Sequence, residues 1–277
     1  MNYQQSVFRV ALITGGSQGI GAASVRRFLD GGWKVATVAL SGESLYRWQF
    51  RDVVTLEGDI TKESLRNEIL DTVLARFGRL DALVNNAAVG LYACASDSRP
   101  ELIRRLFEVN VIAPLALTQL VLPIMRRQHS GTIVNLGSIA GDVAMPWACG
   151  YSASKFSFHA FNDSLRRELK QEGIRVVKIC PGIVATRFRQ NVLAGSAPRT
   201  LIDLRPVVSA EKVAEAIFKA VHFGSRDTVY VPRLGRLFTA VEHFCPAFMD
   251  WYLGRLAKAA FVRTGYDRDR ASTEVAL

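Results

Sequence analysis

Short apolar runs alternate with longer amphipathic stretches along most of the 277-residue chain. The runs cover 8–13, 35–39, 53–56, 80–84, 132–136, 175–179 and 228–231. They are rich in β-branched residues and nearly continuous in apolar side chains, which predicts strands buried on both faces. Helical spacing fills about 20–30, 62–77, 101–127, 151–172 and 210–223. Gly31-Gly32 and Gly78 stop the first two of these helices. Strand, helix, strand, helix implies parallel neighbours joined by right-handed crossovers. The expected fold is therefore α/β: a doubly wound parallel sheet of about seven strands with helices on both faces. No repeat or linker interrupts the pattern, so residues 1–277 read as a single domain, with a core over 7–232 and an extension over 233–277.

Composition narrows the class without naming it. Half the residues are hydrophobic (49%) and 22% are charged, as expected of a chain with one substantial core. No apolar run reaches the roughly 18 residues expected of a membrane span. The polar start, Met1 to Gln5, predicts no secretory signal. Cys94, Cys149, Cys180 and Cys245 lie far apart, with no Cys-x-x-Cys pair and no histidine cluster nearby in sequence, so no metal site is expected. They read as small core residues in a reducing, cytoplasmic setting. The net charge of +10 favours acidic partners such as a phosphorylated cofactor, an anionic lipid surface or an acyl carrier. The basic residues are scattered in pairs with no aromatic–glycine RNA motif, which argues against nucleic acid.

Two groups of residues carry chemistry. Gly15, Gly19 and Gly21, with Ser17, Gln18 and Ile20 between them, lie between the first strand and the first helix. Glycines let an anion approach the main chain, and the helix N-terminus offers it free N–H groups. That setting predicts a Rossmann-type phosphate loop. Tyr151 and Lys155 share one helix face, and Ser138 follows the fifth strand, at the sheet edge where open α/β folds bind ligands. Reducing a carbonyl puts negative charge on oxygen, which a phenol can quench. A nearby ammonium favours the phenolate for the reverse direction, and a serine hydroxyl can hydrogen-bond the oxyanion.

Together these residues resemble the short-chain dehydrogenase/reductase family over about 7–232. Thr14-Gly15-x-x-x-Gly19-x-Gly21, Asn85-Asn86-Ala87-Ala88, Asn110, Ser138, Tyr151, Lys155 and Pro181-Gly182 occur in the family's order. The resemblance implies an oxidoreductase moving a hydride between NAD(P)(H) and a carbonyl or secondary alcohol, with Asn110, Ser138, Tyr151 and Lys155 catalytic. It implies that Asp59 and Ile60 meet the adenine. Asn86 and Ala87 would border the cofactor, Asn110 would order a water beside the lysine, and Lys155 would hold the nicotinamide ribose. Ile183, Val184 and Thr186, after Pro181-Gly182, would face the carboxamide. It also implies a homodimer or homotetramer built on the two long helices. Ala88 departs from the glycine usual at that place.

Several choices stay open. The second strand ends Ala39-Leu40-Ser41 without an acid, so NADP(H) is favoured over NAD(H), with Ser17, Ser41 and Arg47 as phosphate contacts. Leu91, Tyr92, Met145, Trp147 and Phe188 are the expected substrate wall, and Asp142 falls in the segment expected to touch substrate. That wall suggests a lipophilic ligand. Leu234, Leu237, Phe238, Val241, Phe244, Phe248, Trp251 and Tyr252 recur at helical spacing beside Arg233, Arg236, Arg255 and Lys258. This predicts two short amphipathic helices, packed on the domain or across a dimer, or acting as a lid or peripheral membrane contact over 233–262. The alternatives are a 3-oxoacyl thioester reductase serving an acyl carrier, and a cofactor-binding regulatory protein without turnover.

Overall fold

A computed structural model describes residues 8–40, 48, 50–190, 192–195, 207–224 and 227–264. Seven parallel strands form one sheet in the order β3-β2-β1-β4-β5-β6-β7. They are β1 (Val10–Thr14), β2 (Lys34–Ala39), β3 (Val53–Glu57), β4 (Ala82–Asn85), β5 (Gly131–Leu136), β6 (Ile174–Pro181) and β7 (Thr228–Val231). β1, β4 and β5 are buried along their whole length, which is why these runs show no polar alternation. One face carries α2 (Glu63–Phe77), α4 (Ala113–Gln128) and α5 (Cys149–Glu168), packed over Leu12, Leu83 and Ile133. The other carries α1 (Gly19–Asp30) and α6 (Ala210–Lys219), packed over Ile13, Val84 and Ile179. The strand order reverses between β1 and β4, so the crossovers leave in opposite directions and open a crevice at the carboxyl ends of these strands.

The helix expected over 101–127 is not continuous. α3 (Pro100–Phe107) and α4 are joined by a wide π turn at Glu108–Ile112. Hydrophobic spacing does not register the extra residue of such a turn, which carries Asn110 into the interior. By length and composition Pro100–Gln128 could cross a membrane, contrary to expectation. In the fold 56% of its most apolar window is buried, with Leu117, Val121 and Met125 in the core against the sheet. Within that core, Asn85 donates to Thr118 (3.2 Å) and Asn135 (2.9 Å), and Asn135 donates to Asn162 (3.0 Å). This polar row ties β4 and β5 to α4 and α5 directly below the crevice.

After β7 the chain forms α7 (Gly235–Phe244) and α8 (Pro246–Thr264). Met249 and Leu253 are buried with Val143, and Phe238, Val241 and Tyr252 pack against this small cluster.

Candidate active site

The phosphate loop takes the shape its glycines allow. Gly15 and Gly19 have φ of 72° and 54°, which a side chain would strain. A Cβ on Gly21 would overlap the Gly15 carbonyl. The N-cap residue Gln18 makes no side-chain cap to α1, and no acid stands in the helix's first turn, so among the described residues this helix end is open to an anion. Asn86 braces the loop by donating to the carbonyls of Thr14 (2.8 Å) and Gly15 (3.3 Å). The Thr14 hydroxyl in turn accepts from the amides of Asn86 and Ala87. Trp48, which sequence reasoning missed, donates its indole N–H to the Gly16 carbonyl at 3.1 Å.

Asp59 lies across the crevice. It accepts from the Thr61 amide (3.0 Å) and hydroxyl (2.8 Å), and Arg105 holds its second oxygen at 2.7 Å. Burial pushes the carboxyl up, but these bonds and the Arg105 charge prevail and hold it below its ordinary value. Arg105 also lines the cavity, a placement that the spacing of α3 did not reveal.

Ser138, Tyr151 and Lys155 converge. Ser138 follows β5, and its hydroxyl accepts from the Ala140 amide (3.1 Å) and stands beside the Tyr151 phenol, where it favours the phenolate. Tyr151 sits in the first turn of α5 with Phe188 tilted against its ring at 5.9 Å. One turn later the Lys155 ammonium donates to the Leu136 carbonyl at 2.9 Å and lies 6.0 Å from the Tyr151 ring centre. Burial, reinforced by Tyr92, raises the Tyr151 pKa above the ordinary phenol value, so it stays protonated at neutral pH. Burial lowers the Lys155 pKa to about 8.

One cavity of about 1080 Å³ joins these groups. Its lining includes Gly15, Ser17, Gln18, Gly19, Ile20, Gly21, Asp59, Ile60, Asn86, Ala87, Ser138, Tyr151, Lys155, Pro181, Gly182, Val184 and Thr186. Such a cradle suits a dinucleotide: glycine main chain and a free helix end for the pyrophosphate, and the phenol and ammonium at the far end. Ser41 and Arg47 lie outside the described residues. Asn110 does not line the cavity. Its amide donates to Val89 (3.0 Å) and Ser154 (3.1 Å) and accepts from the Val89 amide, so it braces the β4 loop against α5.

Of the expected substrate wall, Tyr92, Met145 and Phe188 line the cavity. Leu91 instead points into the core, against the space beside Gly150. Trp147 takes a left-handed turn (φ 57°) ahead of α5 and its carbonyl accepts from Ala93, so it too lies outside the lining. Irregular loops carry no periodic signal from which sequence could read these directions. The extension adds Leu234, Leu237, Phe238, Val241, Phe248, Met249 and Tyr252 to the wall.

Asp142 also turns away from the cavity. It pairs with His159 Nδ1 at 2.9 Å and accepts from the Tyr230 hydroxyl at 3.0 Å. The Cys180 thiol lies 3.8 Å from His159 Nε2. Cys180 therefore does have a histidine beside it, brought from α5 by the fold across 21 positions of sequence.

Comparisons with known proteins point to one family. The family model described as short chain dehydrogenase matches residues 9–197. A "Dehydrogenase/reductase SDR family protein 7-like" of Anopheles gambiae is 31% identical over 265 residues, covering 90% of this chain and 83% of the relative. A 3-ketoacyl-(acyl-carrier-protein) reductase of Brucella melitensis, solved with NADH, superposes with a TM-score of 0.73 at 26% identity, covering 80% of this chain and 96% of that one. A closed serine dehydrogenase complexed with NADP+ gives 0.74 at 26% identity, covering 80% and 93%.

Proposed function

This chain belongs to the short-chain dehydrogenase/reductase family, an oxidoreductase working with a nicotinamide dinucleotide on alcohol or carbonyl groups, and from that premise we propose that its substrate is a lipophilic ketone or secondary alcohol and its preferred cofactor NADP(H). One observation carries the reading: the cavity that runs from the glycine loop past Ser138, Tyr151 and Lys155 is closed by apolar side chains of α7 and α8.

The bound dinucleotide supplies or takes the hydride. The chain's own groups manage the proton. In reduction, Tyr151 gives its phenolic proton to the substrate oxygen while the Ser138 hydroxyl hydrogen-bonds that oxygen. Lys155 in its charged form stabilises the phenolate left behind. Thr186 stands close to Gly19 at the mouth of the loop, placed to border the cofactor. Asn110 acts through Val89 and Ser154, holding the loop and helix that carry these groups.

The cofactor preference rests on the end of β2, where Ala39 and the exposed Leu40 offer no carboxylate to a ribose 2′-hydroxyl. Exposed Ile112 at the end of the π turn and Phe156 on α5 favour a homo-oligomer. Exposed Leu237, Phe244, Phe248 and Trp251, beside Arg233, Arg236, Arg255 and Lys258, favour contact with anionic lipid vesicles. The likeness to a 3-ketoacyl-(acyl-carrier-protein) reductase and the net charge of +10 keep one second reading, reduction of 3-oxoacyl thioesters.

The test is a panel of ketones, alcohols and acetoacetyl thioesters with both cofactors, followed by nicotinamide absorbance. Long-chain or polycyclic ketones should give the highest kcat/KM, and Tyr151→Phe should lower kcat by about 10²-fold or more while leaving cofactor affinity intact. A tenfold preference for NADH refutes the cofactor assignment; unchanged turnover in Tyr151→Phe refutes the mechanism.

A further inference from the structure

A partly buried hydrogen-bonded row runs behind Ser138, assembled from three elements that are distant in sequence. The Tyr230 hydroxyl of β7 donates to Asp142 in the turn after β5, and Asp142 holds His159 Nδ1 of α5. The Ser138 backbone N–H donates to His159 Nε2 at 3.3 Å. An amide can only donate, so Nε2 carries the lone pair and the ring proton sits on Nδ1, facing the carboxylate. Gly137 and Gly141 make room for the ring, since a Cβ on either would overlap it. Ser138 is thereby held twice, by its main chain to His159 and by its hydroxyl to Ala140.

We propose that His159, oriented by Asp142 and Tyr230, is a positioning residue that sets the Ser138 hydroxyl against the Tyr151 phenol and the substrate oxygen. Its catalytic meaning rests on the oxidoreductase reading above. Asp142, His159 and Cys180 lie close enough to suggest a metal site. Both ring nitrogens are engaged, however, one by the carboxylate and one by the Ser138 amide, so the cluster works as a closed hydrogen-bond row.

The row is sensitive to acid. Asp142 and, through it, Tyr230 face the ring on one side. Cys180 and Lys178 face it from β6, Lys178 being paired with Asp163, and Lys155 lies one turn back on α5. Burial lowers the His159 pKa, Asp142 opposes this, and the two lysines add to the burial effect, so the ring is neutral at physiological pH. Protonation turns Nε2 into a donor directed at another donor, and the Ser138 amide loses its partner.

Three variants test the proposal. His159→Gln places an amide oxygen where Nε2 stood and does not titrate; His159→Leu fills the space without an acceptor; Asp142→Asn removes the counter-charge. Near neutral pH, His159→Leu should lower kcat by about tenfold or more with cofactor KM unchanged, whereas His159→Gln should lose less than about threefold. The acid limb of kcat should vanish in His159→Gln and move to lower pH in Asp142→Asn. Imidazole 15N NMR of the cofactor-free protein gives a readout independent of turnover. The chain has four histidines, so the His159→Gln spectrum identifies the resonance, which should show the Nδ1–H form. An Nε2–H tautomer overturns the proposal, as do equal rates for His159→Leu and wild type or an acid limb indifferent to both other variants. Should His159→Leu fail to fold, the remaining two pH profiles and the tautomer still decide. A wild type that turns over nothing on the panel overturns the oxidoreductase reading itself, a result distinct from an active enzyme indifferent to His159.

Discussion

Lys155 carries its ammonium into the buried end of the cavity, and burial moves its pKa from the ordinary 10.5 to about 8. A cation held less well by the fold than by water destabilises the fold whenever it is charged. Because the folded value lies below the unfolded one, the unfolded chain binds more protons between about pH 8 and 10.5, and stability rises with pH across that window. Each unit of pKa corresponds to about 1.4 kcal/mol, so the charge costs the fold on the order of 3 kcal/mol at neutral pH. Lys155→Met keeps the length and removes the charge. It also removes the hydrogen bond to the Leu136 carbonyl, a loss of about 1–3 kcal/mol, so the net gain near pH 7 is at most about 2 kcal/mol. The lost bond is the same at every pH and cancels when two pH values are compared. Urea unfolding of cofactor-free wild type and variant, at about pH 7 and at pH 10.5, should show the stability difference moving toward wild type by about 3 kcal/mol. A difference that does not move with pH would refute the account of Lys155 as a desolvated cation. Turnover should be lost in the variant at both values.

Gly21→Ala should weaken cofactor binding by about tenfold or more in fluorescence titration, because its Cβ meets the Gly15 carbonyl and pushes the phosphate loop out of shape; unchanged affinity would count against the loop as the pyrophosphate cradle. Asn135→Leu should cost about 1–3 kcal/mol in chemical denaturation, since it leaves the buried Asn162 carbonyl without its donor and the Asn85 amide with Thr118 alone. An effect below about 1 kcal/mol would show that these groups find other partners.

The strands and the core helices were legible because burial on both faces of a parallel sheet leaves long β-branched runs that nothing else produces. The glycine loop and the Tyr151–Lys155 pair were legible for a related reason: each is local, with its members within one turn or one helix face. What sequence could not reach is assembled from afar. The Asp59–Arg105 pair spans β3 to α3, Trp48 reaches back to Gly16, and His159 meets Ser138, Asp142 and Cys180 from another element. Leu91 and Trp147 were misplaced because irregular loops have no period from which to read direction. The π turn at Asn110 escaped notice because apolar spacing tolerates one extra residue in a long helix.

The two halves of the cavity are held by different physics. On the chemical side nearly every polar group is fixed by a partner from another element: Asn86 on the phosphate loop, Ser138 between Ala140 and His159, Lys155 on Leu136. Such bonds are directional, so they set positions finely, and removing one leaves a buried group unpaired. On the substrate side the wall is Phe238, Val241, Met249 and Tyr252, packed mainly by apolar contact against Val143 and Met145. Apolar contact has little directional preference and accepts changes of shape when volume is kept. Substitutions on α7 and α8 should therefore change which carbonyl compound fits while leaving the proton chemistry alone, and substitutions in the Ser138 row should do the reverse.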